Sequence, residues 1–137
     1  MTEPELLIYP AELTYPAAAD HVPPPRGRTA YQYTAERFDR LPGSLLFWGP
    51  YLDLKAGVYV LNFIGEVEGR LSLEFTYDSG RMRIKRIELG EFAAPVCIVL
   101  VRAARAFEIR ALKTPALDRL RLDGIRLQRV YPGEERP

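Results

Sequence analysis

An antiparallel β-sandwich preceded by a proline-rich arm is the fold predicted by this 137-residue sequence, and three observations predict it. Apolar and polar residues alternate at period two in several runs, most plainly in Leu71-Ser72-Leu73-Glu74-Phe75-Thr76-Tyr77. Turn-forming groups such as Asp78-Ser79-Gly80 punctuate those runs at short spacing. Helical patterns long enough for βαβ crossovers are missing from the sequence, so neighbouring strands are expected to run antiparallel.

Residues 1–27 contain Pro4, Pro10, Pro16, Pro23, Pro24 and Pro25. Proline lacks a backbone donor and fixes its own φ, so this stretch is expected to form an extended arm, with Leu6 to Tyr9 lending at most one edge strand. Leu6, Leu7, Ile8, Tyr9, Leu13 and Tyr15 are costly to leave in water. One reading is therefore an arm that docks into a protein partner or a second copy, and the other is a tail lying on the surface. The Ala17-Ala18-Ala19 run is too short to hold a helix by itself.

The sandwich is expected over 28–131. Thr29, Tyr31 and Tyr33 mark a first strand, and the stretch from Phe38 through Asp39-Arg40-Leu41-Pro42-Gly43 marks a loop, with at most one helical turn over 36–41. The stretch from Phe47 to Ile64 is the centre of the pattern. Gly49-Pro50 and Ala56-Gly57 interrupt it, Leu52 and Leu54 alternate with Asp53 and Lys55, and Tyr59, Leu61 and Phe63 share one parity. Residues 58–67 and 71–77 read as two strands, the second closing in a hairpin at 78–80. Met82, Ile84, Ile87 and Leu89 change parity, which predicts a bulge near Lys85-Arg86. Pro95 to Val101 is apolar on both parities and reads as a central strand covered on both faces, with Cys97 as a buried structural thiol. Phe107, Ile109 and Ala111 alternate again. The last strand, Leu120 to Leu127, switches parity at Asp123-Gly124, where glycine permits a bulge, and residues 132–137 form a polar tail.

Hydrophobic residues at 47% and charged residues at 27% are ordinary globular values, and the length suits one domain with a real core. The formal charge of +1, from 19 basic and 18 acidic residues, creates no global field that would draw in nucleic acid. One cysteine excludes an intrachain disulfide. The start Met-Thr-Glu-Pro-Glu is acidic and lacks an apolar core, and no run approaches the roughly 20 apolar residues of a membrane span. Synthesis in the cytoplasm without a signal peptide is expected, with any outside role reached as part of a released or surface assembly.

Enzymatic constellations are missing from the sequence. His21 is the only histidine and lies in the arm, and Ser44, Ser72 and Ser79 have no histidine to activate them. Glu66 and Glu68 share a parity, as many solvated sheet faces do, so no enzyme is expected. Aromatic side chains carry the binding candidates. Trp48 and Tyr51 flank Gly49-Pro50, where a ring at a loop would offer a flat apolar face with a polar edge, and Tyr77 stands beside Asp78 and Arg81 at a hairpin mouth. Tyr31, Tyr33 and Phe92 are further candidates. Arg81, Arg83, Lys85 and Arg86 form one basic cluster, and Arg119, Arg121, Arg126 and Arg129 another. Their alternation with apolar residues reads as a solvated outer face, or as a surface for an acidic polysaccharide.

Gly49-Pro50-Tyr51-Leu52-Asp53-Leu54-Lys55-Ala56-Gly57-Val58-Tyr59-Val60-Leu61-Asn62-Phe63 resembles the jelly-roll carbohydrate-binding modules with a galactose-binding-like fold, whose pattern is of the type G-P-Y-h-x-L-x-A-G-x-Y-x-h-x-F. Leu120 to Leu127 is similar to the strand on which they often close, and the resemblance spans about residues 28–131. It implies a non-catalytic domain that stacks an aromatic ring on a pyranose and reads hydroxyls with polar groups. The later loops hold no second tryptophan, so tyrosine or phenylalanine would take that part. Many such modules also bind a structural calcium; Asp123 stands at the matching position as a weak candidate, but Glu5 or Glu12 only loosely echo the acidic partners and calcium takes six or more oxygens, so no metal and no cofactor is expected.

The expectation is thus a domain binding a bacterial surface or extracellular polysaccharide through Trp48, Tyr51, Tyr77, Asp78 and Arg81. The alternative is a structural or adaptor subunit of a virion-like or cell-surface assembly that docks through residues 1–27.

Overall fold

The computed structural model describes residues 5–15, 30–34, 45–90 and 95–132. The strands are β1 (Leu6–Ile8), β2 (Tyr31–Thr34), β3 (Leu45–Leu54), β4 (Gly57–Tyr77), β5 (Met82–Leu89), β6 (Val96–Leu100) and β7 (Ala104–Pro132), all paired antiparallel. A 3₁₀ turn over Pro10–Glu12 is the only helical element among the described residues. The fold is the all-β antiparallel sandwich that the alternation predicts.

Its frame is a ribbon of two long strands. β4 and β7 pair from Gly57↔Pro132 to Thr76↔Glu108, with register slips between Ile64 and Gly65 and again around Gly69. Residues 58–67 and 71–77, expected as two strands, are one strand, and so are 107–111 and 120–127. Leu71, Leu73, Phe75, Phe107 and Ile109 continue the inward alternation, and a bulge lets one strand change its facing without stopping. The bulge expected at Asp123-Gly124 is present, because Ile64 pairs with Gly124 and Gly65 with Leu122. At the other corner Gly69 has φ +92, and a Cβ there would lie 1.8 Å from the Ala116 carbonyl oxygen, so only glycine lets the two backbones meet.

Each half of the ribbon carries its own flanking strands. In the first, β6 lies beside 57–61 of β4, while β1 and β2 lie beside 119–127 of β7. In the second, β5 lies beside 71–77 of β4 and β3 beside 104–112 of β7. One hydrophobic core unites the halves. Within it Tyr31 of β2 meets Phe47 of β3 edge to face at 5.8 Å, and Phe75 stacks on Phe107 at 6.3 Å. Tyr31 and Tyr33 are therefore core residues and do not offer binding rings.

The described part of the proline-rich segment belongs to this core. β1 pairs with β7, and Thr14 exchanges backbone hydrogen bonds of 2.7 and 2.9 Å with Trp48, so residues 6–14 cross from the edge of one half to the edge of the other. Ile8 and Leu13 are buried, and Tyr15 packs on Tyr31 at 4.9 Å. Burial pushes the phenols of Tyr15 and Tyr31 well above the usual range, and each is raised further by a neighbouring tyrosine. Of the side chains whose exposure motivates a docking arm, Ile8, Leu13 and Tyr15 are used within the chain, while Leu6 stays 41% exposed.

Two further expectations are corrected. Pro95 to Val101 is not a covered central strand: among the described residues β6 pairs with β4 alone, and Val96, Ile98 and Leu100 point inward while Cys97 and Val99 face outward. Cys97 is exposed, because a strand at a sheet edge over a single core buries only one parity. Its thiol is expected to react completely with a maleimide in native buffer, without the denaturant that a buried thiol would need. Gly49-Pro50 is not a turn either but lies inside β3, which continues to Leu54. The bulge in β5 falls at Ile84, one residue before the expected place, since Phe75 pairs with Lys85 and Thr76 with Arg83. Ala17 to Ala19, His21, Phe38, residues 36–43, Ser44, Phe92 and the tail from 133 lie outside the described residues.

Candidate functional site

The site lies on the outer face of the half built from β3, β7, β4 and β5. In β3 the inward residues Phe47 and Gly49 pair with Ala111 and Ile109, so Trp48 and Pro50 stand outward opposite Arg110 and Glu108. Continued alternation would turn Tyr51 into the core. The ladder slips there, however, because Pro50 pairs with Glu108 and Leu52 with the next β7 residue, Phe107. Tyr51 is the bulged residue, with φ +67, and its side chain is 48% exposed on the same outer face as Trp48. A left-handed non-glycine residue at a bulge is a recurrent way of aiming one side chain at a site. On the opposite strand Ala106 has φ +52, and its N–H donates to Asp53 Oδ1 at 3.1 Å, so Asp53 supports the bulge.

The floor comes from β7 and β4. Glu74 pairs with Arg110 and Thr76 with Glu108 across the ladder. Glu108 is only 4% exposed, and Thr76 Oγ1 donates to its Oε1 at 3.2 Å. Arg110 Nη1 lies 3.6 Å from Glu74 Oε1, and Arg83 Nη1 lies 3.8 Å from the other oxygen of Glu74. The Tyr51 phenol is held above its ordinary pKa first by desolvation and then by the Glu108 carboxylate, which takes a hydrogen bond from it; the Trp48 indole and Arg110 pull the other way. Thr76 thus fixes the Glu108 carboxylate at the floor of this face, beside Tyr51.

The β4–β5 turn supplies the rim. Arg81 N donates to the Asp78 carbonyl at 3.2 Å within a four-residue loop between Tyr77 and Met82, in which Asp78 at φ +55, Ser79 at φ +56 and Gly80 at φ +85 are all left-handed. The Asp78 N–H donates to the Arg105 carbonyl at 2.6 Å and ties the turn to β7. Leu45, Trp48, Tyr51, Ser79, Gly80, Glu108 and Arg110 enclose a basin of about 320 Å³. That is near the lower end of the range of about 300–1,000 Å³ for small-ligand sites, a size suited to one or two small rings.

Of the residues singled out in the sequence, Trp48 and Tyr51 are brought together, and the hairpin contributes through Ser79 and Gly80. Asp78 and Arg81 sit in that turn with exposed side chains but do not line the basin. Tyr77 is separate: it packs against the core and lines another hollow with Arg83, Ile84 and Val99, because it has the opposite parity to Thr76. Glu108 and Arg110 are site residues that sequence reasoning does not single out. Their signal is present in the alternation of Phe107, Ile109 and Ala111, which leaves 108 and 110 on the other face.

Several of the remaining charges have local partners. Glu66 and Glu68 face Arg121 and Arg119 at 3.4 and 3.9 Å, and Arg126 faces Glu5 at 3.3 Å. Arg129 departs from the solvated reading, for it is buried and donates to the Ala56 carbonyl. Asp123 lies 3.2 Å from Arg121, and Glu12 accepts from the Tyr9 N–H at 2.6 Å. Among the described residues no three acidic, histidine or cysteine side chains come together as metal ligands, and no helix is long and apolar enough to cross a membrane. No family model, curated protein or solved structure matches the chain.

Proposed function

We propose that this chain is a non-catalytic carbohydrate-binding domain whose site is the Trp48–Tyr51 basin, with a bacterial surface or extracellular polysaccharide as its ligand. The observation that carries the reading is the meeting of two outward aromatic side chains with one carboxylate and one guanidinium in a single concave site. An aromatic face stacks on the C–H side of a pyranose, and charged hydrogen-bonding groups beside it read the hydroxyls. The resemblance of residues 49–63 to jelly-roll carbohydrate modules supports the same reading.

Glycan-array screening followed by calorimetry is the test. Trp48→Ala is expected to weaken binding of any retained glycan about tenfold or more, because a buried aromatic anchor dominates small interfaces. Unchanged circular dichroism separates that loss from unfolding. Absence of binding to every glycan at millimolar concentration by the folded wild type would overturn the proposal.

A second reading, a structural or adaptor subunit of a surface or virion-like assembly, draws support from a different place. Val99 of β6, at 57% exposure, and Val101 just after it, at 86%, stand on a strand that pairs on one side only among the described residues, and Val58 of β4 pairs with both Val99 and Tyr131, another exposed residue. An apolar sheet edge of this kind favours association. The proline-rich segment offers less for docking, since Ile8 and Leu13 are buried in the chain's own core.

A further inference from the structure

The charges in the basin are arranged as a neighbouring pair of opposite sign. Glu108 and Arg110 are two residues apart on β7 and therefore share a face, and both border the space beneath Trp48 and Tyr51. Glu108 is the more deeply set, with Thr76 on one of its oxygens. Gly80 keeps that carboxylate open to the basin: a side chain there would begin 3.6 Å from Glu108 Oε1. Arg110 is compensated by Glu74 across the ladder at 3.6 Å, so its charge is partly spent while its planar donors remain directional.

We propose that the basin selects a neutral sugar carrying a vicinal pair of hydroxyls, with Glu108 accepting from the diol and Arg110 donating to an adjacent oxygen. This inference rests on the carbohydrate reading of the same site and adds the charge class of its ligand. A neutral diol satisfies a carboxylate acceptor and a guanidinium donor at once. A uronate would set its own carboxylate against the buried Glu108, where like charges repel. A protonated amino sugar would pair with Glu108, but its ammonium has no lone pair to accept from Arg110 and lies against that guanidinium. The exposed arginines outside the basin, such as Arg81 and Arg119, make a polyanion look attractive from sequence, but they do not line this site.

Calorimetric titration of the full chain with three probe classes decides the matter: neutral hexose oligosaccharides, oligogalacturonates and chitosan oligomers. Neutral oligosaccharides are expected to bind at least tenfold more tightly than either charged class, in a manner lost in Trp48→Ala. Glu108→Gln, which keeps the shape and removes the charge, is expected to weaken neutral binding about tenfold and to narrow the gap to the uronate. The wild-type ranking needs no variant, so it stands even if Glu108→Gln does not fold. Tighter binding of a charged class, abolished by Trp48→Ala, would overturn the neutral-diol inference and leave the carbohydrate reading in place. Absence of binding in all three classes would overturn both.

Discussion

Gly69→Ala is expected to cost about 3 kcal/mol or more of folding stability and to lower the thermal midpoint by roughly 10 °C. Two penalties coincide at this position. A φ of +92 is closed to side-chain-bearing residues, and the new Cβ would lie 1.8 Å from the Ala116 carbonyl oxygen. That neighbour is backbone on the partner strand, so it cannot rotate away as a side chain would. The corner is also where the β4–β7 ribbon passes from one half of the sandwich to the other, and opening it disturbs strands on both sides. Gly90→Ala is the control, because nothing lies within 4 Å of a Cβ there. Urea unfolding followed by circular dichroism compares the two, and equal midpoints would show that the two backbones do not approach so closely at this corner.

Phe107→Ala is expected to destabilise the chain by about 3–5 kcal/mol, the usual cost of emptying a fully buried aromatic site. Phe107 is inaccessible to solvent and stacks nearly parallel to Phe75 at 6.3 Å, so its loss leaves a void between strands that cannot easily close. It also pairs with Leu52, the residue that ends the Tyr51 bulge. Under the proposed function, binding should therefore weaken along with stability, although the side chain never reaches the basin. The same denaturation experiment measures the first effect, and calorimetry at a temperature where the variant is folded measures the second. A loss below about 1 kcal/mol would contradict the packing of Phe75 on Phe107.

Much of the fold is legible in the sequence because alternation and turn chemistry are local. Leu71, Leu73 and Phe75 face inward as their parity requires, the 78–81 hairpin forms where Asp78-Ser79-Gly80 predicts it, and the 123–124 bulge sits on its glycine. Pro95 to Val101 misleads because an apolar run carries no sign of which side has a neighbour: β6 is an edge strand whose outward residues are apolar all the same. The proline-rich segment lends the one short strand expected of it at Leu6–Ile8, but its burial is not legible. Its prolines exclude long ladders, yet three paired residues and the buried side chains of Ile8, Pro10 and Leu13 are enough to join it to the core.

The site divides in the same way. Trp48 and Tyr51 are visible as aromatic residues around Gly49-Pro50, but their alternation would send them to opposite faces. A register slip and a φ of +67 bring Tyr51 round to the side of Trp48, and no pattern in β3 specifies that slip, because it depends on which residues of β7 lie opposite.

By itself the sequence determined an all-β antiparallel fold, the inward face of most strands and most turns, since these derive from period-two alternation and from residues that accept left-handed backbone. Only the tertiary structure decided that β4 and β7 run unbroken through both halves, that the segment around Ile8 and Leu13 is core, and that Glu108 and Arg110 lie beneath Trp48 and Tyr51. Those outcomes depend on pairings between residues far apart in the chain, where register is set by the packing of the whole sheet and not by any local preference.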